Sequence, residues 1–218
     1  MTHVKICCIS NIEEANIAIK YGASAIGLVS EMPSGPGVIS EQTIKKIAEQ
    51  TPPSISTFLL TSKQNVDEII EQHNRCGTNT IQLCDKIITG TLLQLKKALP
   101  GVRIVQVIHV TDNESINEAI GISNLVDAIL LDSGNQKLVT KELGGTGRTH
   151  DWTLSRKIVD AVKVPVFLAG GLNPQNVDEA ILQVKPYGVD ICSGVRTNSI
   201  LDEEKLKLFF DKVRAVNK

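Results

Sequence analysis

Residues 164–174 read VPVFLAGGLNP, and this stretch decides the fold class. Its first half is a short apolar run, rich in valine, that predicts a buried strand. A glycine pair then interrupts the run, and a proline follows where the next helix is expected to begin, a position that tolerates proline. The stretch is therefore predicted to be one strand-to-helix junction of an α/β protein.

The same junction recurs along the chain. The sequence predicts strands at residues 4–9, 25–29, 54–60, 80–83, 103–108, 128–131, 166–169 and 189–191. It predicts helices at residues 12–21, 40–49, 66–75, 92–99, 116–122, 153–162, 175–184 and 203–216. Ser10 or Asn11, Asn65 and Ser115 are predicted helix caps, and Gly22 is a predicted helix stop.

Eight such units in a chain of 218 residues favour a closed (β/α)8 TIM barrel, formed as a single domain over residues 1–218. The alternative is a doubly wound open sheet, which normally has five or six strands. No GxGxxG motif follows the first predicted strand, so a Rossmann dinucleotide site is not expected.

Composition excludes several classes of function. The 23 Lys and Arg residues are balanced by 24 Asp and Glu residues without a run of like charge, which argues against a nucleic-acid-binding or membrane-anchored protein. With no signal peptide or long apolar stretch evident, we expect a cytoplasmic protein. The five cysteines include no CxxC pair, so we expect reduced thiols, no metal site and no cofactor.

Glycine clusters follow the last three predicted strands, at the end of the barrel where active sites are built. Glycine lets the backbone approach a ligand closely, and a nest of backbone N–H groups binds an anion. Ordinary turns are the alternative interpretation. The candidate phosphate-binding residues are Gly145, Thr146, Gly147, Gly170, Gly171, Ser193 and Gly194.

Two titratable residues are expected at the same end of the barrel. Cys7 lies on the first predicted strand, and alternation places Lys5 on the same face, where its ammonium group would lower the pKa of the thiol. Asp132 directly follows an apolar strand. A packed core cysteine and a solvated or helix-capping carboxylate are the alternatives. Together the pair predicts acid–base chemistry on a phosphosugar, the expected small-molecule partner.

Several further strings are distinctive in combination: Val4-Lys5-Ile6-Cys7, Tyr21-Gly22-Ala23, Ile81-Gln82-Leu83, Leu130-Leu131-Asp132, Gly144-Gly145-Thr146-Gly147-Arg148-Thr149, Leu168-Ala169-Gly170-Gly171-Leu172-Asn173-Pro174 and Tyr187-Gly188-Val189-Asp190. With them the chain resembles the phosphoribosylanthranilate isomerase family of tryptophan biosynthesis over nearly its whole length. The resemblance implies an Amadori rearrangement of an aminoaldose phosphate to an aminoketose phosphate. It implies that Asp132 protonates the ribose ring oxygen and that Cys7 removes the C2 proton.

The chain also departs from the family pattern. Gly37 stands where the family carries an arginine expected to hold the anthranilate carboxylate, and Cys8 stands where the family has glycine. Cys84-Asp85 replaces a histidine–glycine pair, and Arg196 replaces a glutamate. The possible substrate contacts are therefore Lys5, Gln82, Arg148 and Arg196.

Three interpretations stay open. The chain could be the isomerase, with Arg196 or Arg148 binding the carboxylate in place of the missing arginine. It could instead isomerise a different aminosugar phosphate, or bind a phosphometabolite without catalysis. A monomer and a homodimer are equally compatible with the sequence.

Overall fold

The computed structural model describes residues 1–134, 143 and 147–217. Eight parallel strands form a closed barrel in chain order, and the last strand pairs with the first. These strands are β1 His3–Ile6, β2 Ala25–Val29, β3 Ser56–Thr61, β4 Thr80–Leu83, β5 Arg103–His109, β6 Ala128–Asp132, β7 Val166–Leu168 and β8 Gly188–Ile191. The prediction of a (β/α)8 barrel is confirmed.

Helices alternate with the strands and surround the barrel. They are α1 Ile12–Tyr21, α2 Glu41–Gln50, α3 Val66–Cys76, α4 Leu92–Ala98, α5 Glu114–Ser123, α6 Trp152–Ala161, α7 Val177–Val184 and α8 Glu203–Val216. A 3₁₀ turn at Ser193–Val195 and a short hairpin of β9 Arg196–Thr197 and β10 Ile200–Leu201 lie between β8 and α8.

Side-chain alternation divides the apolar core into two layers. Ile26 and Leu28 on β2 belong to the larger layer between the strands and the helices. Ala25 and Val29 on the same strand belong to a smaller cluster inside the barrel. Because the strands alternate in this way, polar side chains at inward positions near the strand ends lie in one shared interior.

Local capping explains where several elements begin and end. Asn11 accepts a hydrogen bond from the N–H of Glu14 at the start of α1, and Asn65 accepts one from Asp67 at the start of α3. Gly22 ends α1 with a φ of 117°, a left-handed conformation that favours glycine. These three predicted caps are confirmed.

Three predicted details are wrong. The first strand ends at Ile6 rather than residue 9, since Cys8 has a φ of 60° and leaves the extended conformation. Ser115 lies inside α5 rather than capping it, and its hydroxyl bonds the backbone of His109 and Thr111. Pro174 precedes α7 by a turn, so it is not a first-turn residue.

Across the described ranges, no helix combines the length and the apolar character that crossing a membrane requires.

Candidate active site

A cavity opens at the end of the barrel where the strands have their carboxyl termini. Its polar lining includes Cys7 after β1, Gln82 on β4, Asp132 at the end of β6 and Asp190 on β8. Ser193 lines it from the 3₁₀ turn. Both predicted acid–base residues therefore face one cavity, at the face of the barrel where active sites are built.

Cys7 is buried, and its surroundings favour the thiolate. A hydrogen bond from the Cys8 thiol lowers the pKa of Cys7, and the Lys5 ammonium group lowers it further, against the opposing effects of burial and Asp190. A Cβ at Gly27 would lie 2.8 Å from Cys7 Sγ and 3.1 Å from Lys5 Nζ. The thiol and the ammonium group are therefore brought together over a residue without a side chain.

Lys5 is fully buried inside the barrel and is held by two contacts. Its Nζ lies 2.9 Å from Asp190 Oδ2 and 5.2 Å from the centroid of the Phe58 ring. Burial alone would lower the pKa of Lys5, but the Asp190 carboxylate raises it above the ordinary value. Lys5 is thus a fixed positive charge inside the barrel, close to Cys7.

Asp132 ends β6 and is only 8% exposed. Burial raises the pKa of Asp132, while the N–H of Ser133, donating to Oδ1 at 2.7 Å, and the His109 imidazole oppose the rise. His109 is the neighbour of Asp132 in the β5–β6 register, and its Nε2 donates to the carbonyl of Cys84 at 3.4 Å. A carboxyl group with a raised pKa is suited to donate a proton near neutral pH.

The described glycines of the predicted phosphate site belong to loops that converge. A Cβ at Gly147 would lie 3.9 Å from Ser193 Oγ, so the loop before α6 meets the turn after β8. A Cβ at Gly194 would collide with the carbonyl oxygen of Leu172, in the loop after β7. Gly194 is therefore required for the close contact between the last two loops.

Gly170 and Gly171 both have positive φ, 83° and 64°. A Cβ at Gly170 would lie 3.1 Å from the backbone N of Ser133, and one at Gly171 would lie 2.6 Å from the backbone C of Arg148. Among residues 1–134, 143 and 147–217, the N–H groups of both glycines have no protein acceptor. They are therefore available to bind an anion. The predicted contacts Gly145 and Thr146 lie outside the described residues.

Arg196 is bound within the protein rather than facing the cavity. Its guanidinium lies 2.8 Å and 3.1 Å from the Glu14 carboxylate, and both side chains are less than 10% exposed. It also donates to the carbonyl of Cys8 at 2.6 Å and to that of Ser199 at 3.0 Å. The charge that replaces the family's glutamate is thus neutralised by Glu14.

The two remaining predicted substrate contacts differ in position. Gln82 lines the cavity, and its Nε2 lies 3.7 Å from Cys84 Sγ. Within the described residues Gln82 Oε1 is buried without a hydrogen-bond partner. Arg148 is exposed and lies beside Gly171, outside the lining of the cavity.

Gly37 and Cys8 are in contact. Gly37 has a φ of 81°, and a Cβ there would lie 2.5 Å from Cys8 Cβ, 3.0 Å from Cys8 Cα and 3.1 Å from Cys8 Sγ. The Sγ atom of Cys8 in turn lies 3.7 Å from the carbonyl oxygen of Pro36. The two departures from the family pattern are therefore one structural feature, because the cysteine occupies the space that a side chain at position 37 would need.

Sequence reasoning missed three residues around the site. Asp190 was readable as a lone carboxylate in an apolar strand, and it is the partner of Lys5. Cys8 was noted only as a departure, although its thiol lowers the pKa of Cys7. His109 carried no sequence signal, because its neighbour Asp132 is brought beside it only by strand pairing. Over the described ranges, no group of three or more His, Cys, Asp or Glu side chains is arranged to hold a metal ion.

Comparisons with known proteins point to one family. Residues 4–212 match the sequence profile of the family described as N-(5'phosphoribosyl)anthranilate (PRA) isomerase. N-(5'-phosphoribosyl)anthranilate isomerase 2 of Methanosarcina mazei is 37% identical over 213 residues, covering 97% of this chain and 93% of the relative.

Two solved structures are similar over almost their full length. N-(5'-phosphoribosyl)anthranilate isomerase from Pyrococcus furiosus superposes with a TM-score of 0.82 at 30% identity, covering 99% of this chain and 100% of that chain. A phosphoribosyl anthranilate isomerase in complex with reduced 1-(o-carboxyphenylamino)-1-deoxyribulose 5-phosphate superposes with a TM-score of 0.80 at 26% identity and the same coverage.

Proposed function

This chain belongs to the phosphoribosylanthranilate isomerase family, and on that premise we propose that it converts N-(5'-phosphoribosyl)anthranilate to the corresponding aminoketose phosphate, with Asp132 as acid and Cys7 as base. The roles are assigned from one observation. The two groups lie in one cavity, and their surroundings shift their pKa values in opposite directions. The pKa of Asp132 is raised by burial, whereas the pKa of Cys7 is lowered by Cys8 and Lys5. Such divergence is typical of acid–base pairs.

The reaction begins at the ring oxygen of the ribose. Asp132 donates its proton to this oxygen, the bond from C1 to the ring oxygen breaks, and the nitrogen lone pair forms a protonated Schiff base. The buried position of Asp132 keeps the carboxyl group protonated at a higher pH than that of a solvated aspartate.

The second step takes place at C2. The Cys7 thiolate removes the C2 proton, and the electron pair moves toward the iminium carbon to give an enolamine. This intermediate then tautomerises to the ketone as C1 gains a proton. Lys5, fixed by Asp190, stabilises the thiolate before the transfer. General acid–base assistance of this kind contributes about 10²–10⁴-fold in rate for each group.

The phosphate is assigned to the glycine loops that follow the last three barrel strands. Gly147, Gly170, Gly171, Ser193 and Gly194 supply backbone N–H groups from three converging loops. Their contacts with one another exclude side chains, which lets the backbone approach the phosphate oxygens closely. This anchor holds the sugar in the orientation in which both reacting groups reach it.

The test is turnover of N-(5'-phosphoribosyl)anthranilate by the purified protein, followed by loss of substrate fluorescence. Cys7→Ser and Asp132→Asn should each lower kcat by about 10²–10⁴-fold with unchanged thermal unfolding. Binding of phosphate esters without any turnover by the unmodified chain would refute the assignment and favour the non-catalytic binding protein.

A second candidate is an isomerase whose aminoaldose phosphate carries an uncharged nitrogen substituent. Within the described residues, the cavity lining contains no arginine or lysine, and Arg196 is occupied by Glu14. An anthranilate carboxylate would therefore be bound without a paired cation from these residues, which disfavours it relative to a neutral ring.

The two candidates are separated by matched substrates. The ratio of kcat/KM for N-(5'-phosphoribosyl)anthranilate to that for N-(5'-phosphoribosyl)aniline measures what the carboxylate contributes. A ratio well above unity supports the anthranilate substrate, whereas a ratio below unity supports the candidate with an uncharged ring.

A further inference from the structure

Three cysteines meet at the cavity, and the proposed reaction uses only one of them. Cys7, Cys8 and Cys192 all line the cavity. Cys7 and Cys8 are consecutive in the chain, and the pKa of the Cys8 thiol responds to both Cys7 and Cys192. All three are free thiols, and thiol–disulfide exchange requires a thiolate with access to a second sulfur atom.

The three thiols are not equivalent. Cys7 has the thiolate-favouring surroundings already described, with Lys5 beside it. Hydrogen bonds to the other two sulfurs, together with burial, raise the pKa of Cys8. A thiolate is the form that attacks a peroxide, so Cys7 is the oxidisable sulfur and Cys8 is the protonated neighbour.

The backbone of Cys8 is held by strong contacts. Cys8 adopts a φ of 60°, which is unfavourable for a residue with a side chain. Arg196 donates to its carbonyl at 2.6 Å, and the Arg196–Glu14 pair fixes that donor. Glycine would fit this conformation better, so this chain carries a cysteine at a position where its backbone is strained.

We propose that Cys7 and Cys8 form a reversible oxidation site for hydroperoxides, closing to a Cys7–Cys8 disulfide that switches off the isomerase. The Cys7 thiolate attacks a peroxide oxygen and the O–O bond breaks. This gives a Cys7 sulfenic acid and an alkoxide or hydroxide that takes up a proton.

The Cys8 sulfur then displaces hydroxide from Cys7 as its own proton leaves, and water is released. The two sulfurs have together lost two electrons, and the peroxide has gained two. A dithiol reductant returns these electrons and restores both thiols. Because consecutive Cα atoms lie closer than most disulfides prefer, the bond is strained and readily reduced.

The experiment exposes purified protein to hydrogen peroxide, blocks free thiols with N-ethylmaleimide and digests with trypsin. Residues 6–20 form one tryptic peptide that holds both Cys7 and Cys8, and residues 164–196 form another that holds Cys192. We expect the first peptide to lose two hydrogens and to escape alkylation until dithiothreitol is added. This readout requires no isomerase activity, so it stands even if the proposed function fails.

Activity is the second readout. Oxidation removes the base, so kcat should fall by about 10²–10⁴-fold and return with dithiothreitol. Cys8→Ser should not recover its activity. Without the second thiol, the sulfenic acid on Cys7 is oxidised further to the irreversible sulfinic acid. Cys192→Ser is the matched control and should recover like the unmodified protein, each variant being compared with its own reduced form.

Three outcomes would overturn the proposal. The first is a cross-link between residues 6–20 and 164–196, which would assign the disulfide to Cys192. The second is oxidation of Cys7 beyond recovery in the unmodified protein. The third is a 6–20 peptide that stays unmodified under a hydrogen peroxide treatment that fully oxidises free cysteine in solution.

Discussion

Restoring the family's arginine at position 37 is expected to succeed only if Cys8 is replaced by glycine at the same time. In the single variant Gly37→Arg, the new Cβ would lie 2.5 Å from Cys8 Cβ, and the residue would have to adopt a φ of 81°. The double variant keeps the unfavourable φ at position 37 and the 3.0 Å approach to the Cα of residue 8, but it removes the Cβ and Sγ atoms that the new Cβ would meet.

The expected magnitudes follow from these two effects. A left-handed conformation costs a residue with a side chain about 1–2 kcal/mol, and overpacking a buried contact costs about 1–3 kcal/mol. Gly37→Arg should therefore lose about 2–5 kcal/mol of unfolding free energy in total. The double variant should lose only about 1–2 kcal/mol, and less if glycine at position 8 relieves its own φ of 60°.

The assay is a double-mutant cycle of Cys8→Gly and Gly37→Arg by urea denaturation. The coupling energy should be favourable by about 1–3 kcal/mol, in the range that contacting residues show. In parallel, kcat/KM for N-(5'-phosphoribosyl)anthranilate is compared between Cys8→Gly and the double variant. A charge-assisted hydrogen bond contributes about 1.5–3 kcal/mol, so a rise of roughly 10–150-fold is expected.

Two results would refute this reasoning. Additive stability effects would show that Cys8 does not exclude a side chain at position 37. A well-formed double variant whose kcat/KM is unchanged would show that an arginine there does not reach the substrate. The first concerns packing and the second concerns recognition, so they are separable.

Two further perturbations test the electrostatics. Lys5→Met removes the ammonium group beside Cys7, so the pKa of the thiol should rise. The acidic limb of the pH profile of kcat/KM should therefore move to higher pH. If that limb does not move, Lys5 does not stabilise the thiolate. Glu14→Gln breaks the buried pair with Arg196 and should lower the free energy of unfolding at neutral pH by about 3–5 kcal/mol, measured by urea denaturation. Burial alone would raise the pKa of Glu14, but the hydrogen bonds from Arg196 hold it below the ordinary value, so this stabilisation is present above the unfolded pKa and disappears as the pH falls through the folded one. Unfolding free energies collected across that acidic range should fall less steeply for Glu14→Gln, and parallel curves would contradict the assignment.

Sequence patterns predicted the elements whose bounds depend on local chemistry. Helix α1 was predicted to the residue because Asn11 and Gly22 mark its ends, and β2 was read directly from its apolar run. The end of β1 was missed, because the positive φ of Cys8 depends on contacts made from distant parts of the chain.

The site residues show the same difference between features set by local sequence and features set by distant contacts. Cys7 and Asp132 could be placed at one end of the barrel, since strand order and alternation fix where a strand-end residue points. The ion pair between Arg196 and Glu14 could not be predicted from the sequence, because the two residues meet only when β1 and β8 close the barrel. Roles that depend on which charges become neighbours after closure are not encoded in local spacing.

The pair of Glu14 and Arg196 joins residues 182 positions apart, and Glu14 also accepts the N–H of Leu201. It joins the first helix to the hairpin that follows the last strand, across the seam of the barrel. A contact of such long sequence separation forms late, since the entropy of closing a large loop is lost before the contact is gained. The Glu14–Arg196 pair is therefore expected to slow unfolding of the closed barrel. The rate of folding is set mainly by the local strand–helix units.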